Sequence, residues 1–273
     1  VTFEDASHIY LVYATRVATT LRAVLDAEPG GRLGLASARF CSASVALAID
    51  HLHREMPALG GLMARDVSPR ALAINADGYL QLLDLRCVRP CAAHARALGV
   101  EFVGLADYQP PEHILGASES SMGFAADAWA LGALTYELIT GGSPWRAPTP
   151  GGTHAETEHA LFARILSHEP GKLAFPKGAP IGAELRAYLN ALLDPRPSHR
   201  LGSGGRPGGG LAELRAHAWF GAHQVGGAPL AGGALEALDW AELATGRMES
   251  PLKAHGGQAV QDALAAGYAE GKE

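Results

Sequence analysis

Two carboxylates bracket a short predicted hairpin, and their placement suits phosphoryl transfer. Asp66 precedes the apolar run at residues 72–74, and Asp84 follows a second apolar run at residues 79–83. Residues 75–78, Asn-Ala-Asp-Gly, separate the runs, and Asp-Gly between apolar runs is a strong hairpin signal. The hairpin therefore brings both carboxylates to one end of one ribbon. One such group can accept the proton of an attacking hydroxyl while the other holds magnesium on the phosphates.

Composition limits the classes of protein to which the chain can belong. Its 273 residues suffice for one large or two small globular domains. The net charge of -6 is mild, and without a basic patch we expect neither a nucleic acid nor a membrane surface as partner. Cys41, Cys87 and Cys91 form no C-x-x-C pair, which predicts reduced thiols and a cytoplasmic location. The first residue, Val1, is not methionine, so the chain is expected to be a fragment.

Apolar spacing predicts a mainly α-helical fold with one small hairpin. Residues 87–103 are predicted to form a long loop, two prolines at 110 and 111 argue against a regular helix there, and a thin Gly/Ala-rich tail follows Gly221. A strand is predicted at residues 9–13. The predicted helices cover residues 17–25, 37–53, 125–140, 158–168, 184–193 and, as the last short helix, 211–220.

A series of motifs resembles the C-terminal lobe of protein kinases. Arg65-Asp66 resembles the catalytic loop H-R-D-x-x-x-x-N, and Asp84-Leu85-Arg86 resembles D-F-G. Further matches follow in the family's order: Pro111-Glu112 for A-P-E, residues 127–132 for D-x-W-x-x-G, residues 195–201 for the late D-P-x-x-R element, and residues 214–220 for the closing H-x-W-F. Segments at 31–40, 78–81 and 238–247 are similar to the AGC group, near the cyclic-nucleotide-dependent kinases.

This resemblance implies a domain layout. Residues 1–15 would be a remnant of the N-terminal lobe strands and hinge, and residues 16–221 a kinase-like C-lobe. Residues 222–273 would be an AGC-like C-terminal tail, partly disordered. No G-x-G-x-x-G loop and no V-A-I-K lysine occur ahead of the hairpin, so only the last strands of the N-lobe are expected in this chain.

The resemblance also assigns roles in the chemistry. Asp66 would be the catalytic base, Arg65 would hold the loop, and Asp84 would be the Mg²⁺ ligand, if any. Glu101 stands near the position of an activation-loop phosphothreonine, so it is a phosphomimetic candidate that could pair with Arg65. Glu137 is kept where related kinases hold a substrate arginine. Arg70 replaces the second acidic residue used there, so a basic peptide should be repelled at that position.

Three further residues are assigned structural roles by the resemblance. Glu112 and Arg200 would form an ion pair that ties the substrate-side loop to the late helices; the alternative is two independent surface charges. Asp127 would accept backbone N–H bonds from the catalytic loop; the alternative is ordinary capping of the central helix.

Three departures from the family pattern affect catalysis. Ser68 replaces the lysine that neutralises charge on the transferred phosphate, and Ala71 replaces the asparagine that binds the second magnesium. Arg86 replaces the glycine of D-F-G, which places a cation close to the magnesium ligand. The family's cofactors are ATP and Mg²⁺, and these departures count against their binding by this chain.

Two functions follow from the resemblance. The first is a catalytically inactive or strongly impaired pseudokinase-like domain that works by binding a protein partner or peptide. The alternative is a fragment of an active ATP-dependent serine/threonine kinase that uses Asp66 as base and Asp84 as Mg²⁺ ligand. An unrelated helical interaction domain is disfavoured by the motif order. The scattered histidines and Cys87-x-x-x-Cys91 do not match a zinc-site spacing, so no such site is expected.

Overall fold

The computed structural model describes residues 2–5, 7, 9–11, 17–55, 60–91, 103–116, 124–146, 154–203, 210–222, 235–259 and 261. These residues are mainly α-helical with a few short strands, which confirms the predicted fold class. The helices are α1 (Leu21–Ala27), α2 (Leu35–Arg54), α3 (Pro111–Ile114), α4 (Ala125–Thr140), α5 (His154–Leu166), α6 (Ala183–Leu192), α7 (Leu211–Arg215) and α8 (Trp240–Ala244). The strands are β1 (Thr2–Glu4), β2 (Ile9–Leu11), β3 (Val17–Thr20), β4 (Leu62–Met63), β5 (Leu72–Asn75), β6 (Leu80–Leu82) and β7 (Arg89–Pro90).

Helix α4 is the centre of the core and spans the range predicted for it. It is apolar on nearly every face, as a fully buried helix must be, and Trp129 and Leu134 are completely buried. Gly141 ends the helix in the left-handed conformation, with φ of 84°, and its N–H donates to the carbonyl of Glu137. A Cβ at Gly141 would lie 2.1 Å from the carbonyl oxygen of Gly30, so only glycine fits.

Helices α2 and α6 pack against α4. A Cβ at Gly132 would lie 2.8 Å from the Cβ of Leu192, so the missing side chain lets α4 and α6 approach closely. A buried polar chain links all three helices: the Thr135 hydroxyl donates to Ser42 Oγ at 2.9 Å, and Ser42 Oγ lies 3.2 Å from the Tyr188 hydroxyl. Because these buried hydroxyls bond to one another, their hydrogen bonds offset the cost of removing them from water and link the three helices.

The predicted hairpin is confirmed. Strands β5 and β6 are antiparallel, with Leu72 opposite Leu82 and Ile74 opposite Leu80. Asn75 Oδ1 closes the turn by accepting the backbone N–H groups of Asp77 and Tyr79. Gly78 takes a φ of 84°, which the turn requires and few other residues tolerate.

The helix predicted at residues 17–25 is wrong in its first half. Residues 17–20 form β3, which pairs antiparallel with β5, Thr20 lying opposite Ala73. Three of these four residues are β-branched, and pairing with the exposed edge of the hairpin satisfies their backbone groups. Helix α1 begins only at Leu21, where the Thr20 hydroxyl accepts the N–H of Ala23 as an N-cap.

Other segments also differ from the predictions. Pro111 begins helix α3, because a proline at the first helical position loses no hydrogen bond. Within the predicted loop at 87–103, β7 pairs with β4. The predicted helix at 211–220 ends at Arg215 and resumes as a 3₁₀ turn over Ala218–Phe220, and the chain after Gly221 contains α8. None of the helices in the described ranges has the length and apolar character of a bilayer span.

Candidate functional site

The loop that carries Asp66 lies between β4 and β5, and Asp127 of α4 fixes its backbone. The Asp127 carboxylate accepts the N–H of Ala64 at 2.8 Å and the N–H of Arg65 at 2.9 Å. Asp127 is 1% exposed, and the N-cap position of α4 belongs to Phe124 instead. Arg65 adopts a left-handed backbone with φ of 63°, which is unfavourable for a non-glycine residue and persists only where surrounding contacts impose it. Asp127 therefore bonds to the backbone of the Asp66 loop and does not serve as the N-cap of α4.

His53, a residue that the sequence did not single out, completes this support. Its Nε2 lies 2.8 Å from Asp127 Oδ2, and its ring stacks on Phe124 with centroids 3.8 Å apart. The histidine lies in the last turn of α2, so three elements converge on one carboxylate. No spacing in the sequence links His53 to Asp127, which is why this contact could not be predicted.

The Asp66 carboxylate lies in a partly buried position between neighbours of both signs. Burial raises its pKa most; the nearby Ser68 hydroxyl lowers it, Asp84 raises it and Arg86 lowers it. Within the described residues, neither Asp66 Oδ1 nor Ser68 Oγ has a partner at full hydrogen-bond geometry, although they lie close enough to interact. Gly104, with φ of 80°, lies against this loop, and a Cβ there would be 3.4 Å from the Asp66 side chain.

The Asp84 carboxylate is occupied by Arg86. The guanidinium donates from Nε to Oδ1 at 2.9 Å and from Nη2 to Oδ2 at 2.6 Å, and the Arg86 backbone N–H donates to Oδ1 at 3.1 Å. These hydrogen bonds, with Arg86 as the largest cause, lower the pKa of Asp84. Ala71, at the other metal-binding position of the family, offers no oxygen from its buried methyl group. In this arrangement Arg86 occupies both oxygens of Asp84, and position 71 supplies no second oxygen ligand for a magnesium ion.

Replacing Arg86 by alanine is expected to raise the pKa of Asp84, because the hydrogen bonds from the Arg86 side chain are the largest cause of that lowered pKa. A pH titration of the Asp84 carboxyl carbon by NMR measures the change. Arg86→Lys is the matched variant, because it keeps one positive charge without the two-pronged geometry. The pKa of Asp84 in this variant should lie between its values in the wild type and in Arg86→Ala. An unchanged pKa in Arg86→Ala would show that the contact does not persist in solution.

Glu112 and Arg200 lie in a buried ion pair. Arg200 Nη1 and Nη2 donate to the two Glu112 oxygens at 2.7 and 3.0 Å, and neither side chain is more than 5% exposed. Arg200 also donates to the carbonyls of Ala125 and Asp194, and its guanidinium lies 5.0 Å above the Trp129 ring. Nearly every donor of this cation is used, so the pair joins α3, the start of α4 and the segment after α6.

The remaining predicted positions are only partly described. Glu137 Oε1 accepts from Arg22 Nη1 at 2.9 Å, and the Tyr108 hydroxyl donates to Oε2, so both oxygens already have partners in the chain. Burial is the main cause of the raised pKa of Tyr108, which stays a hydrogen-bond donor. Arg70 is exposed. Glu101 lies outside the described residues, so its pairing with Arg65 stays a prediction.

Comparison with known proteins identifies the family. The protein kinase domain family matches residues 1–220. The chain is 30% identical over 228 residues to the 3-phosphoinositide-dependent protein kinase 1 of Arabidopsis thaliana, covering 80% of this chain and 41% of that protein. It is 28% identical to the human ribosomal protein S6 kinase alpha-4, covering 90% of this chain and 29% of that protein. It is also 28% identical to the cGMP-dependent protein kinase of Toxoplasma gondii, covering 96% and 22%.

The chain thus spans less than half the length of these relatives. The matched region nevertheless includes the Asp66 loop, the hairpin, α4 and the Glu112–Arg200 pair. The chain therefore belongs to the protein kinase superfamily and is related to its AGC-like serine/threonine kinases.

Proposed function

We propose that this chain is a pseudokinase-like binding or regulatory domain of AGC type, inactive or strongly impaired in phosphoryl transfer. The observation that carries the proposal is the pair of hydrogen bonds from the Arg86 guanidinium to the Asp84 carboxylate. In active kinases this carboxylate is free to hold magnesium on the phosphates. Here the guanidinium of Arg86, whose side chain is 86% exposed, already lies within hydrogen-bond distance of this carboxylate, so a magnesium ion would have to displace it.

Ser68 supports the same conclusion. It is completely buried and uncharged at the position where the family places a lysine. Because catalysis of phosphoryl transfer depends almost entirely on positioning and electrostatic stabilisation, a hydroxyl cannot replace that cation. Loss of one preorganised stabilising group lowers the rate by about 10²–10³-fold. Ala71 also lacks the side-chain amide of the family's asparagine, and this second loss need not multiply the first.

The family contacts that this chain retains are structural ones, which fix the positions of loops and helices. The Glu112–Arg200 pair and the three groups bonded to Asp127 keep the substrate-side elements in place. A domain that has kept this geometry while losing its charge-handling groups is suited to bind a protein partner or peptide. At the peptide-binding side, exposed Arg70 favours a partner that is not basic at that position.

The second candidate is an active kinase whose nucleotide-binding lobe lies elsewhere in a longer protein. The position of Asp66 favours it: burial raises its pKa, and a raised pKa improves a carboxylate as a proton acceptor. Under this alternative Asp66 is the catalytic base, and Arg86 must swing away from Asp84 to admit the metal.

A nucleotide-binding and transfer assay distinguishes the two candidates. The chain, and any longer form, are heated with ATP in the presence and absence of magnesium, and transfer of labelled phosphate to a peptide is followed in parallel. We expect magnesium to add nothing to any stabilisation by ATP, and labelling no greater than in the Asp66→Asn control. Labelling at ordinary kinase rates that Asp66→Asn abolishes would overturn the proposal and establish the second candidate.

A further inference from the structure

A C-terminal stretch of the chain packs onto the turn of the hairpin. Helix α8 contacts α2, and Trp240 at its start packs on Phe220 with ring centroids 4.8 Å apart. Residues 248–256, called here the tail segment, then cover the hairpin turn. Leu252 in this segment is 1% exposed, so the contact is part of the core.

Polar contacts hold the tail segment at the turn. Ser250 Oγ donates to the carbonyl oxygen of Gly78 at 2.7 Å and accepts the N–H of Leu252 at 3.1 Å. The hydroxyl of Tyr79 donates to the carbonyl of Met248. Ser250 is 5% exposed, so its hydroxyl both donates and accepts in a buried position.

The two surfaces leave no free space between them. A Cβ at Gly78 would lie 2.5 Å from the backbone nitrogen of Lys253 and 2.7 Å from Ser250 Oγ. A Cβ at Gly256 would lie 2.3 Å from the carbonyl oxygen of Asn75. Even one added methyl group is excluded at these positions, and a phosphoryl group is several times larger.

Charges of both signs surround the turn, because Arg247 pairs with Glu242 at 3.1 Å and Lys253 lies three residues after Ser250. Burial, then Glu242 and Asp77, raise the pKa of the Tyr79 hydroxyl, which lies next to the turn. Glu249 directly precedes Ser250 in the chain. A phosphoserine carries a charge of about -1.5 to -2 at neutral pH and cannot donate a hydrogen bond to the Gly78 carbonyl.

We propose that Ser250, which is followed by Pro251, is a phosphorylation site whose modification releases the tail segment from the hairpin turn. The donor is ATP on a separate protein kinase that selects Ser-Pro sequences. The bond between the γ-phosphorus and the ADP oxygen breaks, Ser250 Oγ forms the new bond to phosphorus, and the hydroxyl proton passes to the base of that kinase. This inference does not depend on whether the present chain transfers phosphate.

The buried position of Ser250 makes modification depend on spontaneous opening. When opening and closing are fast, the rate follows the population of the open form. Loss of one contact that holds the tail segment should therefore speed up phosphorylation. Once added, the phosphate keeps the segment open, so the hairpin turn between the Asp66 and Asp84 loops loses one of its supports.

The experiment follows phosphorylation of Ser250 by a proline-directed kinase, with the site resolved by mass spectrometry. A synthetic peptide of residues 244–256 is the undocked reference, and we expect it to react faster than the same site in the full chain. Tyr79→Phe removes only the hydroxyl that holds Met248 and should speed up the reaction in the full chain about fivefold, the factor expected for one net hydrogen bond. Leu252→Ala is a second loosening variant.

Hydrogen exchange supplies an independent readout. Phosphorylated chain should exchange the backbone N–H groups of Asp77 and Tyr79 faster than the unmodified chain, because the turn loses its cover. Failure of the peptide to accept phosphate, equal rates in peptide and full chain, or identical rates in the wild type and both loosening variants would each overturn the proposal. So would a fully phosphorylated chain with unchanged exchange at the turn.

Discussion

Replacing Arg200 by alanine is expected to lower the free energy of unfolding by about 3–5 kcal/mol. The guanidinium is fully buried, holds both oxygens of Glu112 and donates to two backbone carbonyls. The variant leaves the buried Glu112 carboxylate without its cation, and this uncompensated charge is the main source of the loss. Unfolding in denaturant, followed by tryptophan fluorescence, measures the effect.

Arg196→Ala is the matched control. Arg196 makes the same two-pronged contact, with Asp194 at 2.9 and 2.7 Å, but its side chain is 53% exposed. Exposed ion pairs contribute little to the free energy of folding, so the free energy of unfolding of Arg196→Ala should be close to that of the wild type. A double variant, Glu112→Gln with Arg200→Met, removes both charges and should recover part of the lost stability. Equal losses in Arg200→Ala and Arg196→Ala would contradict the buried role of the Glu112–Arg200 pair.

The best sequence predictions were those that depend on local signals. Helix α4 is apolar on nearly every face and stops at a glycine, so its bounds could be predicted from the local sequence. The hairpin followed from its Asp-Gly turn, which Asn75 and Gly78 close with contacts inside the turn itself. Both features are determined within a few residues of sequence, and no distant partner is needed to form them.

The errors arose where a distant partner decides the structure. Residues 17–20 pair with β5, far along the chain, and their sequence alone does not show that this edge is available. The pairing of β7 with β4 inside a predicted loop has the same cause. His53 belongs to this group too, because its partner Asp127 lies on another helix.

The candidate site shows both kinds of information. Arg86 lies two residues from Asp84, so the sequence predicts a cation close to this carboxylate, but the two-pronged contact depends on side-chain geometry that the sequence does not specify. The Glu112–Arg200 contact joins distant segments, and only the order of family motifs pointed to it. The departures at Ser68, Ala71 and Arg86 are therefore independent of the retained Glu112–Arg200 and Asp127 contacts. The two groups of residues can be tested by separate variants.

Asp127→Ala should lower the free energy of unfolding by about 2–6 kcal/mol, about 1–3 for each of two donors, and loosen the Asp66 loop. The variant leaves the N–H groups of Ala64 and Arg65 without an acceptor, and a buried donor left unpaired costs about 1–3 kcal/mol. The left-handed backbone of Arg65 loses one of the contacts that impose it. Denaturant unfolding gives the global effect, and amide exchange at Ala64 and Arg65 gives the local one.

Asp239→Ala is the control for this prediction, because Asp239 also accepts two backbone N–H groups, those of Ala241 and Glu242, but at the exposed start of α8. Its loss should cost about 1 kcal/mol, as for an ordinary N-cap, without faster exchange in the Asp66 loop. His53→Ala removes a side-chain partner of Asp127 and leaves both backbone bonds, so its effect on the loop should be intermediate. If Asp127→Ala were no more damaging than Asp239→Ala, the loop would have to be held by other contacts, and Asp127 would be only one more acidic residue near a helix start.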